Sequence, residues 1–168
     1  MERIERELWL ETAMQQHEQS LLRMCFAYLG DRALAEDAVQ ETFLKARKGY
    51  GSFRGASQEK TWLMRIAINT CKDVRKSAWF RHVDRSTALD QLPEGSYPFR
   101  MHDDTLTRAV MKLKPKLKEA ALLCWYQQLT LDEAAKALSI SRSTVYNRLE
   151  KARKILREEV EEWYHEED

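Results

Sequence analysis

The chain has 168 residues, 43% apolar and 33% charged, with a formal net charge of +1; that is apolar material for one ordinary core or two small ones, and too little charge bias for a wholly disordered chain. Five glycines and three prolines are few turn formers for this length, which disfavours a many-stranded sandwich or barrel and points to an all-α fold. No run approaches the roughly 18 apolar residues of a membrane span, and the first twenty residues carry five glutamates instead of a basic-then-apolar leader, so a cytoplasmic location is expected.

Leu21, Leu22, Cys25, Phe26 and Leu29 recur at helical spacing, and Gly30 followed by Asp31 predicts the stop of one helix and the cap of the next. That second helix, over 32–48, has Ala35, Ala38, Val39, Thr42, Phe43 and Ala46 on one buried stripe. Its other face carries Asp37, Gln40, Glu41 and Leu44 at i, i+3, i+4 and i+7. Carboxylates around a leucine that the core does not claim suit a partner protein with basic groups about an apolar spot.

A loop over 49–56 holds Tyr50, Phe53 and Arg54 among glycines, and a third helix follows over 58–76. Leu63, Ile66, Ala67, Thr70 and Val74 form its buried stripe, which leaves Arg65, Asn69, Lys72 and Lys76 on the outer side. Arginine and lysine there suit phosphates, an asparagine amide suits a base edge, and nearby aromatic rings suit stacking on unpaired bases. Trp62 reads as core.

Between residues 77 and 104 the helical periodicity fades while Pro93, Gly95, Ser96 and Pro98 cluster. This predicts a flexible linker between two small helical domains, 1–76 and 105–168. Trp79, Phe80, Tyr97 and Phe99 within it suggest that the linker docks on something.

In the second unit Pro115 suits the first turn of a helix reaching about residue 126, with Leu117, Ala120, Ala121, Cys124 and Trp125 inward. Thr130-Leu131-Asp132-Glu133 is a capping box that opens a short helix over 131–138. The turn Ser139-Ile140-Ser141 resets direction, and Ser141 caps a final helix over 142–157 whose Val145, Leu149, Ala152 and Leu156 face inward. Two helices joined by so short a turn, the second basic, form a helix-turn-helix. Its outer face presents Arg142, Ser143, Thr144, Tyr146, Asn147 and Arg148 to base edges or the bordering phosphates, and Lys151, Arg153 and Lys154 further along the backbone. Residues 105–157 carry +8, a footprint suited to a polyanion, whereas 158–168 carry −7. Those carboxylates sit unfavourably at a helix C-terminus, so the tail is expected to fray and to compete with DNA for the basic helix.

Cys25, Cys71 and Cys124 lie far apart in apolar helical patterns and read as small buried hydrophobes. The four histidines are scattered. No metal or cofactor site is expected, no small-molecule substrate, and no enzymatic activity, because nothing pairs a nucleophile with a base.

In this order the motifs resemble the extracytoplasmic-function (ECF) sigma factors, the compact two-domain members of the sigma-70 family of bacterial RNA polymerase. Tyr28-Leu29-Gly30-Asp31 followed by residues 35–46 resembles the family's polymerase-binding helix. Phe53-Arg54-Gly55 with residues 61–69 resembles its segment for melting and reading the minus-10 element, and residues 131–153 resemble its minus-35 reader. The resemblance implies that domain 1–76 docks on core RNA polymerase through Asp37, Gln40, Glu41 and Leu44. It implies that Phe53, Arg54, Arg65, Asn69, Lys72 and Lys76 hold the melted strand, with Asn69 on a base. It implies that domain 105–168 reads minus-35 duplex in promoter DNA, and that an anti-sigma factor holds the protein in check. Tyr146 and Glu150 depart from the family's usual residues, so no promoter sequence carries over, and Asp73 departs as well, so no base contact carries over at that position. The rival expectation, a stand-alone helix-turn-helix regulator, would bind a two-fold operator unaided.

Overall fold

The computed structural model describes residues 1–53, 58–77 and 105–166, and among these there is no strand. The linker aromatics and Arg54 lie outside the described residues. The first unit is three helices: α1 (Glu2–Leu29), α2 (Arg32–Gly49) and α3 (Glu59–Lys76). The second holds α4 (Thr105–Lys112), α5 (Pro115–Ala121), α6 (Leu131–Leu138) and α7 (Arg142–Glu166).

Local chemistry sets the boundaries. Gly30, at φ 72°, ends α1 in the left-handed conformation that a Cβ would strain. Asp31 then caps α2 by accepting from the Leu34 amide at 2.9 Å. Reversing the chain in two residues lays α2 back along α1, where Arg47 donates to Glu7 at 2.7 Å. Every residue of the α2 stripe is buried, as are Leu63, Ala67 and Thr70 of α3, while Ile66 and Val74 are half-buried. A second line on α3, Met64, Ile68 and Cys71, is buried as well, because α3 is packed from more than one side. Trp62 is half-buried in an aromatic cluster with Trp9 and Phe53, at ring-centroid distances of 5.8 and 4.9 Å.

Pro115 opens α5 as expected, and the helical path does reach Tyr126, but its last part, Leu122–Tyr126, is a π-helical turn. There the Gln127 amide bonds the Leu122 carbonyl at 2.9 Å, one residue beyond α-helical reach. The wide turn, followed by Gln128 at φ 60°, aims Gln127 into the protein, where it is 1% exposed. The capping box is complete: the Glu133 amide donates to the Thr130 hydroxyl at 3.1 Å and the Thr130 amide to the Glu133 carboxylate at 3.0 Å. Ser141 caps α7 by accepting from the Thr144 amide at 3.1 Å.

Two expectations need correction. The acidic tail does not fray after Arg157; α7 continues to Glu166. Glutamate is a good helix former and no glycine or proline interrupts the run, so the dipole penalty of a few tenths to about 1 kcal/mol does not break it. Nor are all three cysteines buried alike. Cys25 and Cys71 are fully buried and Cys124 only partly. A hydrogen bond to Cys25 and then burial hold the Cys71 thiol well above the usual range, and burial pushes Cys124 up to about 11, so neither thiol is poised for reaction.

Candidate partner and nucleic-acid interfaces

Asp37, Gln40, Glu41 and Leu44 are all exposed on one side of α2, Leu44 at 50%. The opposite stripe holds α2 against α1 and α3, so this face is presented rigidly.

The residues chosen for the melted strand are not one open surface. Asn69 and Lys76 are exposed. Phe53 is half-buried against Trp62, 4.9 Å between ring centroids. Arg65 is exposed, as expected, while Lys72, expected on the free outer side of α3, is half-buried toward the second unit. Arg65 donates to Ser139 at 3.5 Å, and Lys72 lies 3.8 Å from the Glu119 carboxylate. Helical periodicity identifies which side of α3 is polar, and it cannot say that another unit covers part of that side.

On α7 the inward stripe Val145, Leu149, Ala152 and Leu156 is buried. Thr144, Asn147, Arg148, Lys151 and Lys154 line one wall of an open cleft of about 1060 Å³. Lys112, Lys114 and Lys116 from the α4–α5 corner and Arg75 from the end of α3 line the rest, with Glu158 and Glu159 at its margin. The three lysines were not singled out from the sequence, although the alternation of lysine through residues 112–118 is a legible sign of a basic corner. Ser143 is exposed and Tyr146 is 52% exposed at the start of α7. Arg142 pairs with Asp132 of α6 at 3.4 Å, which ties the two helices of the motif. Arg153 pairs with Glu150 and lies 5.5 Å over the Trp125 ring, so it braces α7 against α5's extension as well as offering charge outward.

Among the described residues no group of histidine, cysteine or carboxylate side chains is set to hold a metal, and no helix is long and apolar enough to cross a membrane.

Residues 13–81 match the family model of sigma-70 region 2, and residues 103–156 that of sigma-70 region 4. Among known proteins, the chain is 31% identical over 160 residues to the RNA polymerase sigma factor YlaC of Bacillus subtilis, covering 90% of this chain and 91% of that one. It is 27% identical over 158 residues to the ECF RNA polymerase sigma factor SigW of the same organism, covering 86% and 84%. Among solved structures it resembles CnrH in complex with the cytosolic domain of CnrY, with TM-score 0.71, 20% identity and 92% and 89% of the chains covered. It also resembles the sigma factor RpoE in complex with the anti-sigma factor NepR from Bartonella quintana, with TM-score 0.65, 26% identity and 90% and 98% covered.

Proposed function

This chain belongs to the sigma-70 family of RNA polymerase sigma factors, in its extracytoplasmic-function branch, and from that premise we propose how its surfaces divide the work of starting transcription. As a sigma factor it binds core RNA polymerase and directs promoter-specific initiation; an unaided operator-binding dimer gives way to that membership.

The acidic face of α2 around Leu44 docks on basic groups of the polymerase. Phe53, Arg54, Arg65, Asn69, Lys72 and Lys76 hold the melted minus-10 strand, Asn69 reading a base and the cations tracking phosphate. Arg142, Ser143, Thr144, Tyr146, Asn147 and Arg148 enter the minus-35 major groove, with Lys151, Arg153 and Lys154 along the backbone. Residues 1–76 and 105–168 are the two working domains and 77–104 their linker. The protein works in the cytoplasm without catalytic residues of its own, and an anti-sigma factor regulates it, as NepR partners RpoE.

The observation that carries the reading is the coexistence, in one chain, of an exposed leucine ringed by carboxylates on α2 and a helix-turn-helix whose second helix lines a cation-rich cleft. The test is purified core polymerase plus this protein, footprinted on its own upstream region. A stable holoenzyme with an open bubble is expected; neither a complex nor any opening would refute it.

A further inference from the structure

The family matches cover residues 13–81 and 103–156, so the first turns of α1 precede both. Those turns are nevertheless tied into the fold. Glu7, Trp9 and His17 of α1 are each half-buried, and each meets a piece of chain beside the loop that joins α2 to α3. Arg47, near the end of α2, donates to Glu7 at 2.7 Å. The Trp9 ring lies 5.1 Å from that of Tyr50, which opens the short turn Tyr50–Ser52, and 5.8 Å from that of Trp62 in the first turn of α3. Its indole N–H donates to one oxygen of Glu59 at 3.0 Å, and His17 Nε2 lies 3.4 Å from the other. Gln58, the N-cap of α3, makes no side-chain capping bond. What holds the start of that helix from outside is α1, through Glu59 and Trp62.

The contacts continue to the near side of the loop. Trp62 meets Phe53, with ring centroids 4.9 Å apart and planes 31° from parallel. The Phe53 amide bonds the Gly49 and Tyr50 carbonyls, each at 3.2 Å. At Gly49 the Trp62 ring stands so close that an added Cβ would lie 3.3 Å from it, nearer than ordinary van der Waals contact. The rim before the loop, Gly49–Phe53, and the rim after it, Gln58–Trp62, are therefore held by the same two tryptophans. Trp62 belongs to the segment that resembles the minus-10 reader; Trp9 lies before the region 2 match altogether.

We propose that Trp9 is a positioning residue for the minus-10 strand: acting through Tyr50 and Trp62, it fixes the spacing of the two rims and with it the Phe53 ring that the strand meets. The proposal rests on the reading of Phe53 and α3 as the minus-10 surface and goes beyond it, because Trp9 itself touches no nucleic acid. The reason is entropic. A strand that meets a loop with both ends already held does not have to order them, so that cost falls on folding and not on binding. Without the indole the rims sample more spacings, and affinity falls by the fraction that fits, roughly fivefold if one arrangement in five does.

The test uses the full-length chain and three variants. Trp9→Ala removes ring and N–H, Trp9→Leu keeps apolar bulk alone, and Trp9→Phe keeps a ring for Tyr50 and Trp62 while losing the donor to Glu59. Hydrogen exchange compares the amides of residues 50–53 with those of the α2 stripe. Fluorescence anisotropy compares the non-template minus-10 strand of the footprinted promoter with its minus-35 duplex. For Trp9→Ala and Trp9→Leu, exchange over residues 50–53 should quicken while the α2 stripe is unchanged. Strand binding should weaken by roughly fivefold or more, with duplex binding within about twofold of the parent. Trp9→Phe should recover most of the strand affinity. Parent-like exchange over residues 50–53, or parent-like strand affinity, would overturn the assignment. So would strand and duplex affinities falling together, or loss of helix by circular dichroism in every variant, since Trp9 would then hold up the whole unit and not the loop. A parent that binds no strand sinks the minus-10 reading itself, whereas a parent that binds while its variants match it sinks the role of Trp9 alone.

Discussion

Leu44 illustrates how much one side chain can report. It is half exposed on a helix whose other side is fully packed, so it contributes little to the fold and its exposure calls for a use. Leu44→Glu is expected to abolish capture by core polymerase in a pull-down while leaving the melting temperature within a degree or two of the parent; unchanged capture would place the docking face elsewhere. Arg148 lines the cation-rich cleft from the first turns of α7. Arg148→Ala should weaken minus-35 duplex binding by about 1–3 kcal/mol and barely change binding of the melted strand, as measured by anisotropy on the two probes. The exposure of Leu44 was legible because exposure on a helix follows from the spacing of its buried stripe. Spacing likewise put Arg65 on the exposed side, where it is, but it could not report that Lys72 is half-buried, because the carboxylate beside it, Glu119, comes from the other unit.

Among the elements, α6 is the one whose start is written most fully in the sequence. The Thr130–Glu133 box satisfies two amides reciprocally, and losing such a cap costs about 0.5–2 kcal/mol. Glu133 also accepts from Thr61 of α3. Its carboxyl is held below the ordinary range, chiefly by the Thr130 amide and against some desolvation, with Thr61 helping. A carboxyl depressed in the folded state adds stability that is present above its unfolded value, about 4.3, and is lost as pH falls through the lower folded value. Thermal unfolding between pH 6 and pH 3 should therefore show a steeper decline for the parent than for Glu133→Gln; parallel curves would remove Glu133 from the account. The π-helical turn was not legible, because nothing local in Leu122–Tyr126 marks a widened turn; the residue that follows it, Gln127, bonds Ser20 and Lys60 of the first unit. The tail was misjudged at this scale too, where helix propensity outweighed an unfavourable dipole. Glu158 and Glu159 reach the margin of the cleft that holds Lys151 and Lys154. Deleting residues 159–168 should tighten minus-35 binding at low salt and leave it unchanged at high salt, as the screening length shrinks.

For the molecule as a whole, the division into two units and most of the helices followed from periodicity and from the cluster of proline and glycine between them, but α4 and the long N-terminal reach of α1 were not read. The way the units meet did not. Tyr28 and Glu119 are 91 positions apart, and Ser20 and Gln127 are 107 apart; no short-range pattern reports such a pairing. A buried glutamate and a buried glutamine in α5 and its extension look like lapses in an apolar helix until the first unit is brought against them.

One feature of α7 acts at longer range than any contact. Its 25 residues form a single rod of about 37 Å, crowded with cations toward its front and glutamates toward its rear. The peptide dipoles point the same way as those fixed charges, so the two fields add. In the field of a DNA duplex such a rod behaves like a compass needle: it swings its leading turns toward the polyanion and its trailing turns away before anything touches. Encounters in the wrong orientation are opposed at a distance of about a screening length, so the helix proposed to read the groove is expected to arrive with its leading turns toward the duplex.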